Sequence, residues 1–212
     1  MSDIQDVLLL IGNKLLTGVL VVGYLDPERR PPYKMFIPLL ETMYLKFEDK
    51  LLKCSSINQY DQLKLDVVDE VAPGPDFFPE EYGELCVGSM SDFFTGNAYS
   101  GSRVDSFVAF LDYESKLELG IVRGAEFDLG QHGLIFLDPI HVFGVLPHTC
   151  AQQRDDWIEW EKCRYEKAHA PAYGLQRVRI DLGELLKTNI EDLPREKLCG
   201  SAKQPGAKLR EG

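Results

Sequence analysis

Short apolar runs separated by polar turns dominate the middle of the chain, between residues 103 and 148. Residues 107–111 are apolar without interruption, which is typical of a strand buried on both faces. Residues 117–121 alternate between apolar and polar or small side chains, the pattern of a half-buried strand. Residues 134–146 contain two further apolar runs, separated by an Asp-Pro dipeptide at 138–139 that favours a turn. The pattern therefore predicts an antiparallel meander of four strands.

A similar group of alternating segments precedes this meander. Residues 43–57 predict a hairpin, because Leu45 and Phe47 alternate with polar residues, Glu-Asp-Lys at 48–50 forms a turn, and the apolar residues at 51, 52 and 54 form the return strand. Residues 63–67 alternate in the same way and predict a third strand. The chain is therefore expected to contain two units of similar layout, although no residue-level repeat relates them.

The N-terminal residues are compatible with two kinds of structure. Residues 6–11 and 15–25 predict two strands around a Gly-Asn-Lys turn at 12–14. A Ser followed by a Gln in residues 2–5 is instead the capping pattern of a short helix. Recurrent glycine in this region disfavours a long helix, so we expect strands.

The strongest helical signal lies at residues 152–168, which contain good helix formers and neither glycine nor proline. Its first turn is expected to hold Asp155 and Asp156, where the helix dipole favours acidic side chains. Trp157 and Trp160 are expected to share one face of this helix. A final strand is predicted at 178–182, followed by a short helix at 183–189.

These elements predict a mainly β fold with an α+β tendency. Two meander-like antiparallel units are expected to form a sandwich or a half-open barrel, with one or two peripheral helices. Residues 1–193 are expected to be one compact domain, or two halves (1–72 and 85–193) joined by a proline-rich loop at 73–84. Residues 194–212 lack apolar periodicity and are predicted to be a disordered tail.

Charge bears on the class of partner. The 212 residues include 34 Asp and Glu against 23 Lys and Arg, a formal net charge of −11. This charge repels nucleic acid and anionic membranes, so we expect neither as a partner, and a basic protein is the electrostatic complement.

One apolar stretch and the spacing of the cysteines indicate the environment expected for the chain. The apolar stretch 7–25 is interrupted by Asn13 and Lys14 and is not expected to span a membrane. Five scattered cysteines without CxxC spacing suit a reducing cytoplasm.

Histidines of the central stretch suggest one candidate chemistry. His132, His141 and His148, with Asp138 between them, carry side chains that bind transition metals when strands bring them together. Their spacing matches no local metal-binding signature, and no nucleophile elbow, P-loop or dinucleotide-binding motif occurs in the chain. A small metal-dependent enzyme is therefore the alternative hypothesis, and no cofactor is predicted for the preferred one.

The predicted helix suggests a different activity, the binding of a partner. Large aromatic side chains within a rim of carboxylates have the composition of interface hot spots. The candidate residues are Asp155, Asp156, Trp157, Glu159, Trp160 and Glu161. The opposing interpretation is that the tryptophans dock on the sheet while all the carboxylates face water.

We therefore interpret the chain as a noncatalytic, acidic, cytoplasmic binding protein, similar in general character to immunity or inhibitor proteins that neutralise basic toxins or enzymes. A structural or assembly role is a second alternative. The sequence sets no oligomeric state.

Overall fold

The computed structural model describes residues 3–25, 35–59, 61–72, 85–90, 101–141, 144–167, 174–183 and 195–197. Within these ranges the chain forms two antiparallel sheets of six strands each and two α-helices. The mainly β, sandwich-like fold predicted from the sequence is confirmed.

The first sheet contains the N-terminal meander. Its strands, in chain order, are β1 (Leu16–Leu25), β2 (Phe36–Phe47), β3 (Lys50–Ile57), β4 (Gln62–Val68), β5 (Leu85–Ser89) and β7 (Ile121–Val122). Their spatial order is β5-β1-β2-β3-β4-β7. The predicted hairpin and third strand are β2, β3 and β4.

The second sheet contains the central meander. Its strands are β6 (Ser106–Leu111), β8 (Gly124–Asp128), β9 (Leu134–His141), β10 (Gly144–His148), β11 (Gln176–Asp181) and β12 (Arg195–Lys197), in the spatial order β10-β9-β8-β6-β11-β12. β11 corresponds to the predicted final strand. The helices are α1 (Ile4–Asn13) and α2 (Ala151–Lys167).

The main core lies between the two sheets. Inward side chains of the first sheet, such as Met43, Leu52 and Leu65, belong to the same buried cluster as Phe107 and Phe127 of the second sheet. Because side chains alternate across a strand, the other face of each sheet needs its own cover. On the second sheet this cover is α2, whose buried aromatic residues pack against outward side chains of β6 and β9.

The first N-terminal segment is a helix, so the strand predicted at 6–11 was wrong, whereas the strand predicted at 15–25 is confirmed as β1. The Asp3 carboxylate accepts a hydrogen bond of 3.0 Å from the backbone N–H of Asp6, which caps the first turn of α1. Ile4, Val7 and Ile11 fall on one side of α1 and are buried in the main core. This spacing is helical, and Gly12 lies in the last turn, where its cost to a helix is small.

Residues 117–121 do not form the predicted strand of the central meander. Leu117–Leu119 form a 3-10 turn that ends at Gly120, whose φ of 68° is left-handed. β7 then pairs with β4 of the first sheet instead of with β6. A side chain at position 120 would place its Cβ 2.7 Å from the backbone oxygen of Leu65 in β4, so only glycine fits this close approach.

The dipeptide at 138–139 does not end a strand, because β9 continues through it to His141. β8 pairs with β9 only from Leu134 to Leu137, so the missing N–H of Pro139 leaves no gap in that ladder. The Pro139 carbonyl accepts a hydrogen bond of 2.9 Å from the Ser56 hydroxyl of the first sheet.

α2 confirms the predicted helix and begins at Ala151, so Asp155 and Asp156 lie beyond its first turn. β12 pairs with β11 within the segment for which the sequence indicated disorder. The rest of that tail, the loop at 73–84 and the predicted helix beyond Gly183 lie outside the described residues. In the part of the chain that the structure describes, no helix is long and apolar enough to cross a membrane.

Candidate partner-binding site

Trp157 anchors α2 on the second sheet. Its side chain is 6% exposed, and its ring centroid lies 5.3 Å from that of Phe110 and 4.9 Å from that of Phe136. The indole N–H donates a hydrogen bond of 3.1 Å to the Asp138 carboxylate. Both the apolar ring and its polar group are therefore satisfied in the buried position, as a large aromatic side chain requires.

A buried ion pair attaches α2 to the second sheet one helical turn beyond Trp157. The Arg123 guanidinium donates through Nε and Nη2 to the two carboxylate oxygens of Glu161, both at 2.9 Å. The side chains are 1% and 0% exposed. Burial lowers the pKa of Arg123, but the hydrogen bonds and charge of Glu161 outweigh that effect and leave the pKa above its ordinary value. The contact is bidentate, the strong geometry for a guanidinium and a carboxylate.

The pair extends to the surface through Asp61, which ends the turn between β3 and β4. Asp61 accepts from Arg123 Nη1 at 3.4 Å and from Arg164 Nη2 at 3.2 Å. Asn58 and Gln59, just before Asp61, have left-handed φ values of 52° and 59°. This tight turn of the first sheet therefore supplies a carboxylate to the helix that covers the second sheet.

Polar contacts towards both ends of α2 hold it in place. The Arg154 guanidinium donates to the buried carboxylate of Glu126 at 2.8 Å. The Tyr165 hydroxyl donates to the Asp112 carboxylate at 3.2 Å. Burial, reinforced by the negative charge of Asp112, raises the pKa of the Tyr165 phenol. With these contacts at each end, α2 is a rigid part of the sandwich.

The structure divides the six predicted partner-binding residues into two groups. Asp155, Asp156, Glu159 and Trp160 are exposed, whereas Trp157 and Glu161 are buried against the sheet. Trp157 and Trp160 differ in burial although they lie three positions apart on the helix, and the expectation that all the carboxylates face water was wrong. The inward stripe instead consists of Trp157, Glu161 and Tyr165, spaced four residues apart along the helix.

We call the exposed group, Asp155, Asp156, Glu159 and Trp160, the outer face of α2. Trp160 is 50% exposed, and the guanidinium carbon of Arg164 lies 6.0 Å from the centroid of its ring, a cation–π contact. Glu159 accepts a hydrogen bond of 2.6 Å from Lys162. These contacts orient the side chains, while the carboxylates keep access to solvent.

The predicted metal ligands are only partly brought together. Asp138 and His148 approach to 3.8 Å, and the His148 ring stacks on Phe136 at 5.8 Å. His132 is exposed in the turn before β9, and the side chain of His141 lies outside the described residues. Among the described side chains no group of three or more His, Cys, Asp or Glu is placed to hold a metal ion. The metal-dependent alternative stays a prediction.

Comparison with protein-family models, with curated proteins and with solved structures gave no match to this chain. The geometry of the described residues therefore carries the functional argument.

Sequence reasoning overlooked the residues that hold the helix. Arg123 was one available signal, because a charged side chain in the otherwise apolar sequence from Ile121 to Ala125 needs a buried partner. Asp61 had no comparable signal, since its role depends on contact with Arg164, more than a hundred positions away.

Proposed function

We propose that the protein is a noncatalytic binding protein that neutralises a basic protein, as inhibitor and immunity proteins do, and that the outer face of α2 contacts this partner. The observation that carries the proposal is the bidentate Arg123–Glu161 pair beneath the helix. It fixes the helix that carries the exposed carboxylates and Trp160, so the helix itself does not have to be ordered when a partner binds.

Charge supports a basic partner. The net charge of −11 attracts cationic proteins over a distance and raises their rate of encounter. At close range Asp156 and Glu159 can accept hydrogen bonds from Lys and Arg, and Trp160 offers the aromatic surface that interface hot spots favour. The same net charge disfavours nucleic acid as a partner.

We further propose that the protein acts in a reducing compartment such as the cytoplasm. Cys54, Cys150 and Cys163 are free thiols, two of them exposed, and exposed thiols persist where the surroundings are reducing.

Affinity capture with matched variants tests the proposal. Wild-type protein, Asp156→Asn/Glu159→Gln and Asp69→Asn/Glu70→Gln are immobilised and exposed to a lysate of the source cells at low salt. Both double variants remove two exposed negative charges, but Asp69 and Glu70 follow β4, at the opposite end of that strand from Asp61.

We expect the wild type and the Asp69/Glu70 variant to retain one basic protein in about stoichiometric amount, released by added salt. The α2 variant should retain much less of it. Equal retention by both variants, or retention of no basic protein by the wild type, would contradict the proposal.

A further inference from the structure

A cleft of about 460 Å³ lies over strands β2, β3 and β4 of the first sheet. Its volume falls within the range of small-molecule sites, about 300–1,000 Å³. All three strands contribute charged or hydroxyl side chains to its lining, namely Glu41, Thr42, Lys53, Ser55, Lys64 and Asp66. α2 packs on the second sheet, so this cleft is not part of the outer face of α2.

The register of the strands explains why polar side chains gather on this face. The residues that alternate with them along β3 and β4 belong to the main core, so the polar residues point outward. In one row across the sheet, Thr42 lies opposite Ser55 and Ser55 lies opposite Lys64. In the next row Lys53 lies opposite Asp66. Neighbouring positions in a sheet are within reach of a single small ligand.

Two of the charged groups are already satisfied within the protein. The Lys64 Nζ lies 2.9 Å from a carboxylate oxygen of Asp66 and donates a hydrogen bond to the Leu119 carbonyl. The side chains of this ion pair are only 14% and 26% exposed. Their charges cancel, so this pair does not determine the charge of a ligand.

Three other groups of the cleft are available to a ligand. Within the described part of the chain, the half-buried Lys53 ammonium and Glu41 carboxylate have neither a hydrogen bond nor an ion pair. The Thr42 Oγ1 lies 3.1 Å from the Ser55 Oγ. Only one of these two hydroxyl protons lies between the oxygens, so the other can be donated to a ligand. The cleft therefore offers one unpaired positive group, one unpaired negative group and a hydroxyl donor.

We propose that this cleft binds a small zwitterion, a free α-amino acid, whose carboxylate contacts Lys53 and the hydroxyl pair and whose ammonium contacts Glu41. An anion alone would meet the unpaired carboxylate of Glu41, and a cation alone would meet the unpaired ammonium of Lys53. A ligand with both charges satisfies both groups through charge-assisted hydrogen bonds, which are stronger than neutral ones.

Free amino acids and their blocked derivatives test this site. The common L-amino acids are added one at a time to the full-length protein, and dissociation constants are measured by titration calorimetry. We expect at least one of them to bind saturably. Its N-acetyl derivative lacks the ammonium and its carboxamide lacks the carboxylate. Each should bind at least about tenfold more weakly, because each loses a hydrogen bond to a charged group.

Charge-removing variants locate the ligand. Lys53→Met and Glu41→Gln should each weaken binding at least about tenfold. Lys46→Met and Glu70→Gln, at exposed positions outside the cleft lining, are the matched controls and should bind as the wild type does. In Lys53→Met the amino acid should no longer bind more tightly than its carboxamide, which would assign the carboxylate to Lys53.

Several results would overturn the proposed cleft. They are the absence of binding by any amino acid, equal affinity for the free and blocked forms, and affinity that both cleft variants leave unchanged. Asp156→Asn/Glu159→Gln should bind the amino acid as the wild type does, and a loss in that variant would place the ligand on α2 instead. Capture of a basic partner by α2 does not depend on this cleft, so either proposal can fail without the other.

Discussion

At the scale of single residues, Glu161 attaches α2 to the sheet through a buried ion pair. Replacing it by alanine leaves the buried Arg123 guanidinium without its bidentate acceptor. We expect Glu161→Ala to lower the free energy of unfolding by about 3–5 kcal/mol, the usual cost of removing one partner of a buried pair. Urea unfolding measures this change.

Glu159→Ala is the matched control, because Glu159 lies two positions away on the same helix and is exposed. Its loss should change the free energy of unfolding by less than about 0.5 kcal/mol. Equal effects of the two substitutions would show that the Arg123–Glu161 pair does not hold the helix.

Buried phenol and thiol groups predict a loss of stability in alkali. Burial raises the pKa values of Tyr44, Cys54 and Tyr165 above their ordinary values of 10.0, 9.0 and 10.0. Above those ordinary values the unfolded chain has lost protons that the folded protein still binds, so unfolding is favoured as the pH rises. Stability should therefore be fully present below about pH 9 and fall above it.

Urea midpoints measured between about pH 8 and about pH 11 test this dependence. Tyr165→Phe should make the fall shallower, because it removes one of the titrating groups. Tyr113→Phe, at an exposed ring, serves as the control and should change the slope much less. A midpoint that does not change with pH across this range would contradict the account.

At the scale of elements, α2 has two tryptophans with opposite environments, and they are the only two in the chain. Trp157→Ala should lower the free energy of unfolding by about 3–5 kcal/mol through the cavity it leaves. Trp160→Ala should cost less than about 1 kcal/mol, since half of its surface is already in water.

Fluorescence quenching by acrylamide provides an independent check on the two positions. In Trp160→Phe the remaining Trp157 should be shielded from the quencher, and in Trp157→Phe the remaining Trp160 should be quenched readily. The reverse order of quenching would mean that α2 packs on the sheet through its other side.

Several elements could be predicted because their pattern is local. The β2–β3 hairpin follows from apolar segments on both sides of a polar turn, and α2 from its composition. α1 was mistaken for a strand because its glycine counted against a helix, while the helical spacing of Ile4, Val7 and Ile11 was overlooked. The prediction divided β9 into two strands at Pro139, because proline has no N–H to donate to a neighbouring strand. The structure shows that β8 pairs with β9 only as far as Leu137, so no such donor is needed at Pro139.

The candidate site was predicted less completely than the fold. Helical position alone did not show which carboxylate of α2 is buried, because the answer depends on Arg123, which reaches Glu161 from the junction between two strands. Asp112 was not recognised either, since its contact with Tyr165 of α2 arises from the packing of the turn after β6. These contacts are long-range, and a single sequence carries no direct record of them.

At the scale of the whole molecule, the two sheets and α2 form one support for a negatively charged surface. Asp61 follows a turn of the first sheet and pairs with Arg164 on the helix that covers the second sheet. Because the sheets also share one core, the outer face of α2 cannot shift without disturbing both. Such a support suits binding by a preformed surface.

The salt dependence of association tests the central claim most directly. Stopped-flow mixing with the captured basic partner gives the association rate constant at ionic strengths from about 0.02 M to about 0.5 M. We expect the constant to fall by at least about tenfold as the negative surface is screened, and to fall less steeply for Asp156→Asn/Glu159→Gln. An association rate that stays constant across this range would contradict the proposal that the acidic surface of this protein captures a basic partner.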